Sequence, residues 1–124
     1  MPSTLKVRVE EARGLPVMDR ASKLTDAYVE IKFAGHEEKT DICRKSLDPK
    51  WRSDFRFEVR DDAVLQDCPI EFRVMDKDWI DKDDSIGVVY VDLNTLLGRT
   101  DLDEGSVSSN SHVLQGWFPI YDTF

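Results

Sequence analysis

Hydrophobic and polar residues alternate along much of this chain. The alternation is clearest in four segments, at residues 5–10, 27–33, 55–60 and 70–75. Because successive side chains of a β-strand point to opposite faces, each segment is predicted to be a strand with one buried face and one solvent-facing side. The segment from Ile86 to Leu93 is more continuously apolar, which favours a strand near the centre of a sheet.

Turn-forming residues separate these segments and complete the predicted fold. Two weaker strands are predicted near Thr40 to Arg44 and near Trp117 to Tyr121. Glycine and proline punctuate the intervals, as in the run from Gly14 to Pro16. Seven short strands with closely spaced turns predict one all-β domain, an antiparallel β-sandwich, across residues 1–124.

Two short helical turns interrupt the strand pattern. One is predicted at residues 61–67, with Asp61 or Asp62 as its N-cap. The other is predicted at residues 93–98, because its last residue is a glycine, which favours a helix end. Residues 99–112 are polar and rich in serine, which predicts a mobile loop.

Composition and charge narrow the class of protein. The chain has 124 residues, with 17 basic and 25 acidic side chains and a formal net charge of −8. This charge repels phosphates and no basic stripe compensates for it, so nucleic acid is not an expected partner. The sequence shows no signal peptide and no apolar run long enough to span a bilayer. Cys43 and Cys68 are expected to be free thiols in a reducing compartment, with a single disulfide as the alternative.

The acidic excess consists mainly of aspartate, with 17 Asp against 8 Glu. Aspartate is common in turns, caps and metal-binding loops. Five aspartates fall in the nine residues that follow the fourth alternating segment: Asp76, Asp78, Asp81, Asp83 and Asp84. Asp19 and Asp26 stand at the two ends of the loop between the first two strands. If both loops lie at one end of the sandwich, a divalent cation would offset the repulsion between their carboxylates. An all-oxygen ligand set favours Ca²⁺, which accepts about six to eight oxygens, and two ions fit such a cluster.

Other interpretations of the acidic cluster are open or fail on spacing. A solvated acidic loop without an ion is the simplest alternative. An EF-hand that begins at Asp76 fails, because Asp81 stands where glycine is needed and Gly87 where glutamate is needed. An Asp-x-Asp pair of a phosphatase or sugar transferase at Asp76 and Asp78 would need an α/β fold, which the pattern does not predict.

The order and spacing of several motifs resemble the C2 domain family over essentially the whole chain. The shared motifs are Leu5 to Val9, Gly14 to Pro16 followed by Asp19, Thr25 to Val29, Ser46 to Trp51, Val74 to Asp78, and Asp84 to Gly87. The resemblance implies an antiparallel Greek-key β-sandwich and Ca²⁺-dependent docking on anionic phospholipids. Residues 15–22, 39–41, 45–47 and 116–122 further resemble the N-terminal C2 domain of a large phosphoprotein of glucose-transporter vesicle trafficking. This narrower resemblance implies that the chain is the N-terminal module of a longer protein.

The resemblance also implies a set of Ca²⁺ ligands. The side-chain ligands would be Asp19, Asp26, Asp76, Asp78 and Asp84, with Asp81 as an optional outer ligand. The backbone carbonyls of Met18 and Lys77 would complete the set. Because the five main acidic positions are all aspartate, nothing in the motifs argues for a Ca²⁺-insensitive member of the family.

Apolar residues at the predicted loop tips suggest contact with a membrane. Trp79 and Ile80 lie inside the acidic segment and are expected to insert shallowly into a bilayer, with Leu24 doing the same in the first loop. The alternative for Trp79 is that it folds back as a lid over its own loop.

A second lipid-binding surface is implied by the resemblance but is incomplete. Some C2 domains bind phosphoinositides on a lysine-rich face, whose matching positions here are Tyr28, Lys32, Lys39 and Trp51. Glu30 and Asp41 stand where lysines would be expected, so strong phosphoinositide selectivity is not predicted.

Three departures from the family pattern are visible. The interval from Asp19 to Asp26 is one residue longer than in many members, and Ala27 stands where proline is usual. The last strand of the family is missing from the predicted strands. The missing strand predicts either that the sequence ends before the family's last strand or that a sheet edge is open, which a neighbouring chain could fill as an edge-strand dimer.

Three functional classes follow from these observations. The favoured one is a Ca²⁺-dependent phospholipid-binding module that recruits a cytoplasmic protein to the plasma membrane or to vesicle membranes when Ca²⁺ rises. The second is a Ca²⁺-independent C2 domain that acts as a protein-interaction scaffold, with other partners bound by the rest of the full-length chain. The third, a small metal-dependent hydrolase, lacks a general base that is not already a predicted ligand, so no catalytic residue is assigned.

Overall fold

The computed structural model describes residues 3–18, 21, 24–61, 63–94 and 114–122. Seven strands and one helix lie in these residues: β1 (Ser3–Glu11), β2 (Ala27–Phe33), β3 (His36–Lys39), β4 (Lys50–Val59), α1 (Ala63–Asp67), β5 (Ile70–Asp76), β6 (Asp84–Val91) and β7 (Tyr121–Asp122). The four clearly alternating segments form β1, β2, β4 and β5, as their period predicts.

The strands form two antiparallel sheets, which confirms the predicted β-sandwich. One sheet holds β1 and β4, and the other has the order β3-β2-β5-β6-β7. The strand β6, predicted from its apolar sequence to be central, has partners on both sides, although the middle position belongs to β5. Within the described part of the chain β1 pairs with β4 alone, so its second edge is open there.

The prediction of a weak strand near Thr40 to Arg44 is wrong. In the described residues this segment makes only an isolated bridge between Cys43 and Ala27, and the strand lies earlier, at β3. A two-residue turn at Ala34 and Gly35, with φ of 48° and 84°, closes the β2–β3 hairpin. All four β3 side chains are exposed and none is apolar, so a hydrophobic pattern gives no signal for this strand.

The strand predicted near Trp117 to Tyr121 is shorter and later than expected. β7 covers only Tyr121 and Asp122 and pairs with Val88 and Gly87 of β6. Gly87 is required for this pairing: a Cβ atom at that position would lie 2.5 Å from Ile120 Cγ2 and 2.6 Å from the Tyr121 carbonyl oxygen.

The first helical turn is confirmed as α1. The Asp61 carboxylate accepts a hydrogen bond from the Ala63 N–H at 3.1 Å, so Asp61 acts as the cap. The second predicted turn, beyond Asn94, and the predicted loop at residues 99–112 lie outside the described residues. No helix in the described ranges is long and apolar enough to cross a membrane.

The core lies between the two sheets. The inward side of β2 is fully buried, and the Phe33 ring packs edge-on against Phe57 of the other sheet with 5.7 Å between ring centroids. Complete burial of a side chain such as Ile31 contributes about 1.5–3 kcal/mol. Cys43 and Cys68 are free and half-buried, as expected for thiols rather than a disulfide.

Candidate functional site

The register of three neighbouring strands brings acidic residues to one end of the sandwich. Asp76, the last residue of β5, pairs with Ala27 of β2 on one side and with Asp84 of β6 on the other. Asp26 comes directly before Ala27, and its N–H donates to the Asp76 carboxylate at 2.9 Å. Its carbonyl oxygen accepts from the Lys77 N–H at 2.8 Å. Three of the predicted side-chain ligands are therefore adjacent because of strand pairing alone.

Asp76 is the most deeply placed carboxylate of this group, with only 8% of the residue exposed. Burial raises the pKa of Asp76, and the neighbouring negative charges of Asp26, Asp84 and Asp78 raise it further. The hydrogen bond from the Asp26 N–H opposes this rise. Negative charge at this point is thus costly to the folded chain.

Residues 77–83, called here the tip loop, are folded around two carboxylates. Asp78 Oδ1 accepts from the N–H groups of Ile80 at 2.9 Å and Asp81 at 3.0 Å, which lowers the pKa of Asp78. Asp83 Oδ1 accepts from the Asp78 N–H at 2.9 Å. These bonds shape a tight turn whose apex is Ile80, a side chain that is 97% exposed.

Asp83 has a structural part in the tip loop that the sequence does not single out. The Tyr28 hydroxyl of β2 donates to Asp83 Oδ2, which lowers the pKa of Asp83. Burial raises the pKa of Tyr28, and this hydrogen bond raises it further. Lys77 Nζ lies 3.6 Å from the other Asp83 oxygen. Asp83 therefore ties the tip loop to the sheet, whereas the predicted optional ligand Asp81 is exposed and accepts from the Lys82 N–H at 2.8 Å. Nothing in the aspartate spacing separates these two roles.

Both carboxylate oxygens of Asp26 are occupied by protein donors. Oδ1 accepts from the Lys45 N–H at 2.7 Å, and Oδ2 accepts from the indole N–H of Trp79 at 2.9 Å. The Trp79 ring also faces the Arg44 guanidinium at 4.6 Å and the Lys77 ammonium at 5.7 Å. Trp79 is thus folded back against the acidic residues, the arrangement expected of a lid.

The first loop contributes a buried threonine at its base. The Thr25 hydroxyl donates to the Pro16 carbonyl at 2.7 Å and accepts from the Met18 N–H at 3.1 Å, and Thr25 is 1% exposed. This closes the base of the loop beside Asp26. The predicted ligand Asp19 lies outside the described residues, and Leu24 is half-buried.

The acidic residues have the ligand type that suits a metal ion, but their side chains are not arranged to coordinate one. Within the described residues, no three Asp, Glu, His or Cys side chains converge closely enough to hold a metal. The donors themselves are all oxygen, the kind that Ca²⁺ prefers: four described carboxylates and two predicted backbone carbonyls. Since Asp26 and Asp78 now accept N–H bonds, their carboxylates would have to turn to coordinate an ion.

Three of the four residues of the predicted phosphoinositide face lie on one face of the larger sheet: Tyr28 and Lys32 are on the same side of β2 as Glu30, with which Lys39 pairs. Trp51 packs against the core and its indole N–H donates to the Ala27 carbonyl at 3.0 Å. Tyr28 is buried and its hydroxyl is engaged by Asp83. Lys32 and Lys39 alternate with acids: Lys32 Nζ lies 3.8 Å from Glu37, and Lys39 pairs in register with Glu30.

Comparison with curated proteins identifies long relatives. The chain is 50% identical over 124 residues to human C2 domain-containing protein 5, covering 99% of this chain and 11% of that protein. It is 31% identical over 112 residues to human synaptotagmin-4, covering 88% of this chain and 25% of the relative. The chain therefore spans only a small part of the length of these relatives.

Solved structures show the same fold. A C2 domain of plant Extended Synaptotagmin 1 superposes with a TM-score of 0.66 at 30% identity, covering 73% of this chain and 69% of the other. A C2 domain of RIM from Drosophila has a TM-score of 0.66 at 22% identity over 73% of this chain and 75% of the other, which shows the fold alone. A model of the C2 domain family matches residues 3–120. With its two-sheet fold and its acidic loops at one end, the chain belongs to the C2 domain family.

Proposed function

We propose that this C2 domain is a Ca²⁺-dependent module that recruits a cytosolic protein to anionic phospholipid membranes. The observation that carries the proposal is the position of Asp76. Its carboxylate is buried at the junction of three strands, beside Asp26, Asp78 and Asp84, and its pKa is raised by that setting. A bound cation would remove the repulsion that these residues impose on the folded chain.

The proposed ligands are the four described carboxylates together with Asp19, the carbonyls of Met18 and Lys77, and Asp81 as an optional addition. When bound, Ca²⁺ supplies positive charge and open coordination positions for a lipid phosphate or carboxylate oxygen. Two ions would change the formal charge from −8 to −4, and the whole change would fall at one end of the molecule. That end would then attract an anionic bilayer that it otherwise repels.

The tip loop offers apolar side chains for contact with lipid. Ile80 is 97% exposed at the apex of its turn, so its apolar character has no folding rationale. Transfer of such a side chain into hydrocarbon contributes about 1.5–3 kcal/mol. Trp79, which is 55% exposed, would join it, and Leu24 is the proposed contact of the first loop.

The cellular setting follows from the same proposal. A module with two free thiols fits the cytoplasm, and it would move to the plasma membrane or to vesicle membranes as Ca²⁺ rises. Further protein partners would bind through the rest of a longer chain. A neighbouring chain could also pair with the open edge of β1, which a concentration series of solution mass would reveal.

The second candidate function is a Ca²⁺-independent C2 domain that serves as a protein-interaction scaffold. The observation in its favour is that Asp26 and Asp78 accept protein N–H bonds, so the loops are ordered by the chain itself. In either function the domain binds rather than catalyses. Turnover of a phosphate ester would contradict both.

Sedimentation with phosphatidylserine-containing liposomes tests the first function. Asp76→Asn/Asp78→Asn is compared with Asp54→Asn/Glu58→Gln, which removes two charges from the outer face of β4. Pelleting in Ca²⁺ but not in chelator, lost in the first variant and kept in the second, would support the proposal. Absence of pelleting at physiological Ca²⁺ would favour the scaffold, and equal pelleting with and without Ca²⁺ would contradict the Ca²⁺ dependence.

A further inference from the structure

Three separate contacts hold the tryptophan of the tip loop in place. The indole N–H donates to Asp26 Oδ2 at 2.9 Å, Arg44 lies over the ring at 4.6 Å, and Lys77 lies at 5.7 Å. The next residue, Ile80, is 97% exposed. Of these two adjacent apolar residues, Trp79 is therefore held against the protein and Ile80 extends into solvent.

The anchor of Trp79 is a proposed cation ligand. With Lys45 N–H on Oδ1 and the indole on Oδ2, the Asp26 carboxylate has a protein donor on each oxygen. An N–H donor and a divalent cation both seek the lone pairs of a carboxylate oxygen. Each carboxylate oxygen has two lone pairs, and the indole occupies one of those on Oδ2, so the indole and a cation compete for this oxygen.

The ring also brings positive charge to the acidic residues. Arg44 and Lys77 are attracted to the face of the indole, a cation–π contact, and the indole in turn contacts Asp26. Trp79 thus links two basic side chains to a carboxylate that lies beside the buried Asp76. A cation at Asp26 would make this link unnecessary and would repel Arg44.

We propose that Trp79 is an internal plug of the cation site: a divalent cation and the Trp79 indole compete for the Asp26 carboxylate, and departure of the indole frees Arg44 from the ring to bind the phosphate of an anionic lipid. The inference rests on the proposed function. It makes one hydrogen bond the connection between cation binding, delivery of Trp79 to the bilayer and release of Arg44 from the indole ring.

Trp79→Phe tests the plug, because it keeps an aromatic ring in the loop and removes the indole N–H donor. In calorimetry without lipid, the variant should bind Ca²⁺ about three- to tenfold more tightly than the natural chain, the range expected for loss of one competing hydrogen bond to a carboxylate. Trp117→Phe is the matched control, since Trp117 is also exposed and also lies under an arginine, Arg13, at 4.3 Å. The control should leave the Ca²⁺ affinity unchanged.

Fluorescence provides a second measurement of the same step. The emission of Trp79, obtained as the difference between the natural chain and Trp79→Phe, should shift to longer wavelength when Ca²⁺ is added without lipid. It should shift to shorter wavelength when phosphatidylserine vesicles follow, as the indole enters the interface.

Arg44→Gln tests the proposed contact between Arg44 and a lipid phosphate, with Lys45→Gln as the control for loss of one positive charge. At saturating Ca²⁺, Arg44→Gln should weaken binding to phosphatidylserine vesicles at least about threefold more than Lys45→Gln does, the loss of a charge-assisted bond to phosphate. Equal weakening would overturn the assignment of Arg44.

The outcomes separate the plug from the proposed function. Ca²⁺-dependent pelleting with an unchanged or weaker Ca²⁺ affinity in Trp79→Phe would overturn the plug and leave the membrane module intact. Absence of Ca²⁺ binding in both the natural chain and Trp79→Phe would overturn both. Tighter Ca²⁺ binding in Trp79→Phe, with the expected emission shifts, would support both.

Discussion

Two charged regions of this domain are built on opposite principles. On the outer face of the two-stranded sheet, Arg8 binds Asp54 of the neighbouring strand at 2.7 Å and Glu10 of its own strand at 2.8 Å, all three well exposed. At the acidic end, Asp76 is buried beside other carboxylates. The first region balances its charge internally, and the second leaves negative charge that only N–H donors or a cation can offset.

The contrast between paired surface charges and buried carboxylates indicates which charged residues of the domain are candidates for binding. Exposed ion pairs contribute little to stability and respond weakly to mutation. Buried like charges cost stability and create affinity for whatever neutralises them.

The largest expected effect is the stabilisation by Ca²⁺ and its loss in Asp76→Asn. At an ion concentration about one hundred times the dissociation constant, binding should add about 2.7 kcal/mol to the free energy of unfolding of the natural chain. The variant should lose most of this gain, yet in chelator it should be at least as stable, because a buried charge is gone. Urea unfolding with and without Ca²⁺ measures both. A variant clearly less stable in chelator would contradict the description of Asp76.

The next effect concerns the hydrogen bond that ties the tip loop to β2. Tyr28→Phe leaves Asp83 without its hydroxyl donor, so the free energy of unfolding should fall by about 1–2 kcal/mol. Tyr90→Phe is the matched control, because Tyr90 is exposed and pairs in register with Glu71, another acidic residue. A similar loss in both variants would show that Asp83 has no special part in the loop.

A smaller effect is the pH dependence of the acidic end in chelator. Because the pKa of Asp76 is raised by folding, its ionisation destabilises the folded state, and stability should rise as the pH falls from about 7 through that pKa. Asp78 and Asp83 have lowered pKa values, so their contribution should be lost at more acidic pH, as they become protonated. Thermal unfolding of Asp76→Asn should lack the first change and keep the second. An identical pH profile in both chains would contradict the raised pKa.

The smallest effect belongs to the outer face of the two-stranded sheet. Asp54→Asn removes one partner of Arg8 and should lower the free energy of unfolding by about 0–1 kcal/mol, with less effect at high salt. Ca²⁺ affinity should not change. A loss of Ca²⁺ affinity here would mean that net charge, rather than the arrangement at the acidic end, governs the ion.

The strands with apolar faces can be predicted from the sequence, and the polar ones cannot. β1, β2, β4 and β5 follow the period of two because one side of each lies on the core. β3 is a run of exposed polar residues, held in place by its pairing with β2 and by the turn at Ala34 and Gly35. Because backbone hydrogen bonds and turn geometry form this strand, the pattern of hydrophobic residues does not reveal it.

The acidic positions are visible in the sequence, but their individual roles are not. Motif spacing selects Asp26, Asp76 and Asp84, and strand register does bring them together. The same spacing passes over Asp83, although the structure places its carboxylate between Tyr28 and the Asp78 N–H. The sequence leaves open whether Trp79 points outwards or folds back, and its contacts with Asp26 and Arg44 favour the second arrangement in this structure.

By itself, the sequence determined the β-sandwich, the family and the concentration of aspartate in one segment, because these depend on periodicity, turn residues and local spacing. Only the tertiary structure decided which carboxylate is buried, which is held by N–H donors and what the tryptophan contacts. Those properties depend on residues such as Tyr28, Arg44 and Lys45, which are far from the tip loop along the chain. Strand register is what brings them within hydrogen-bonding distance, and register is set by packing across the whole sheet.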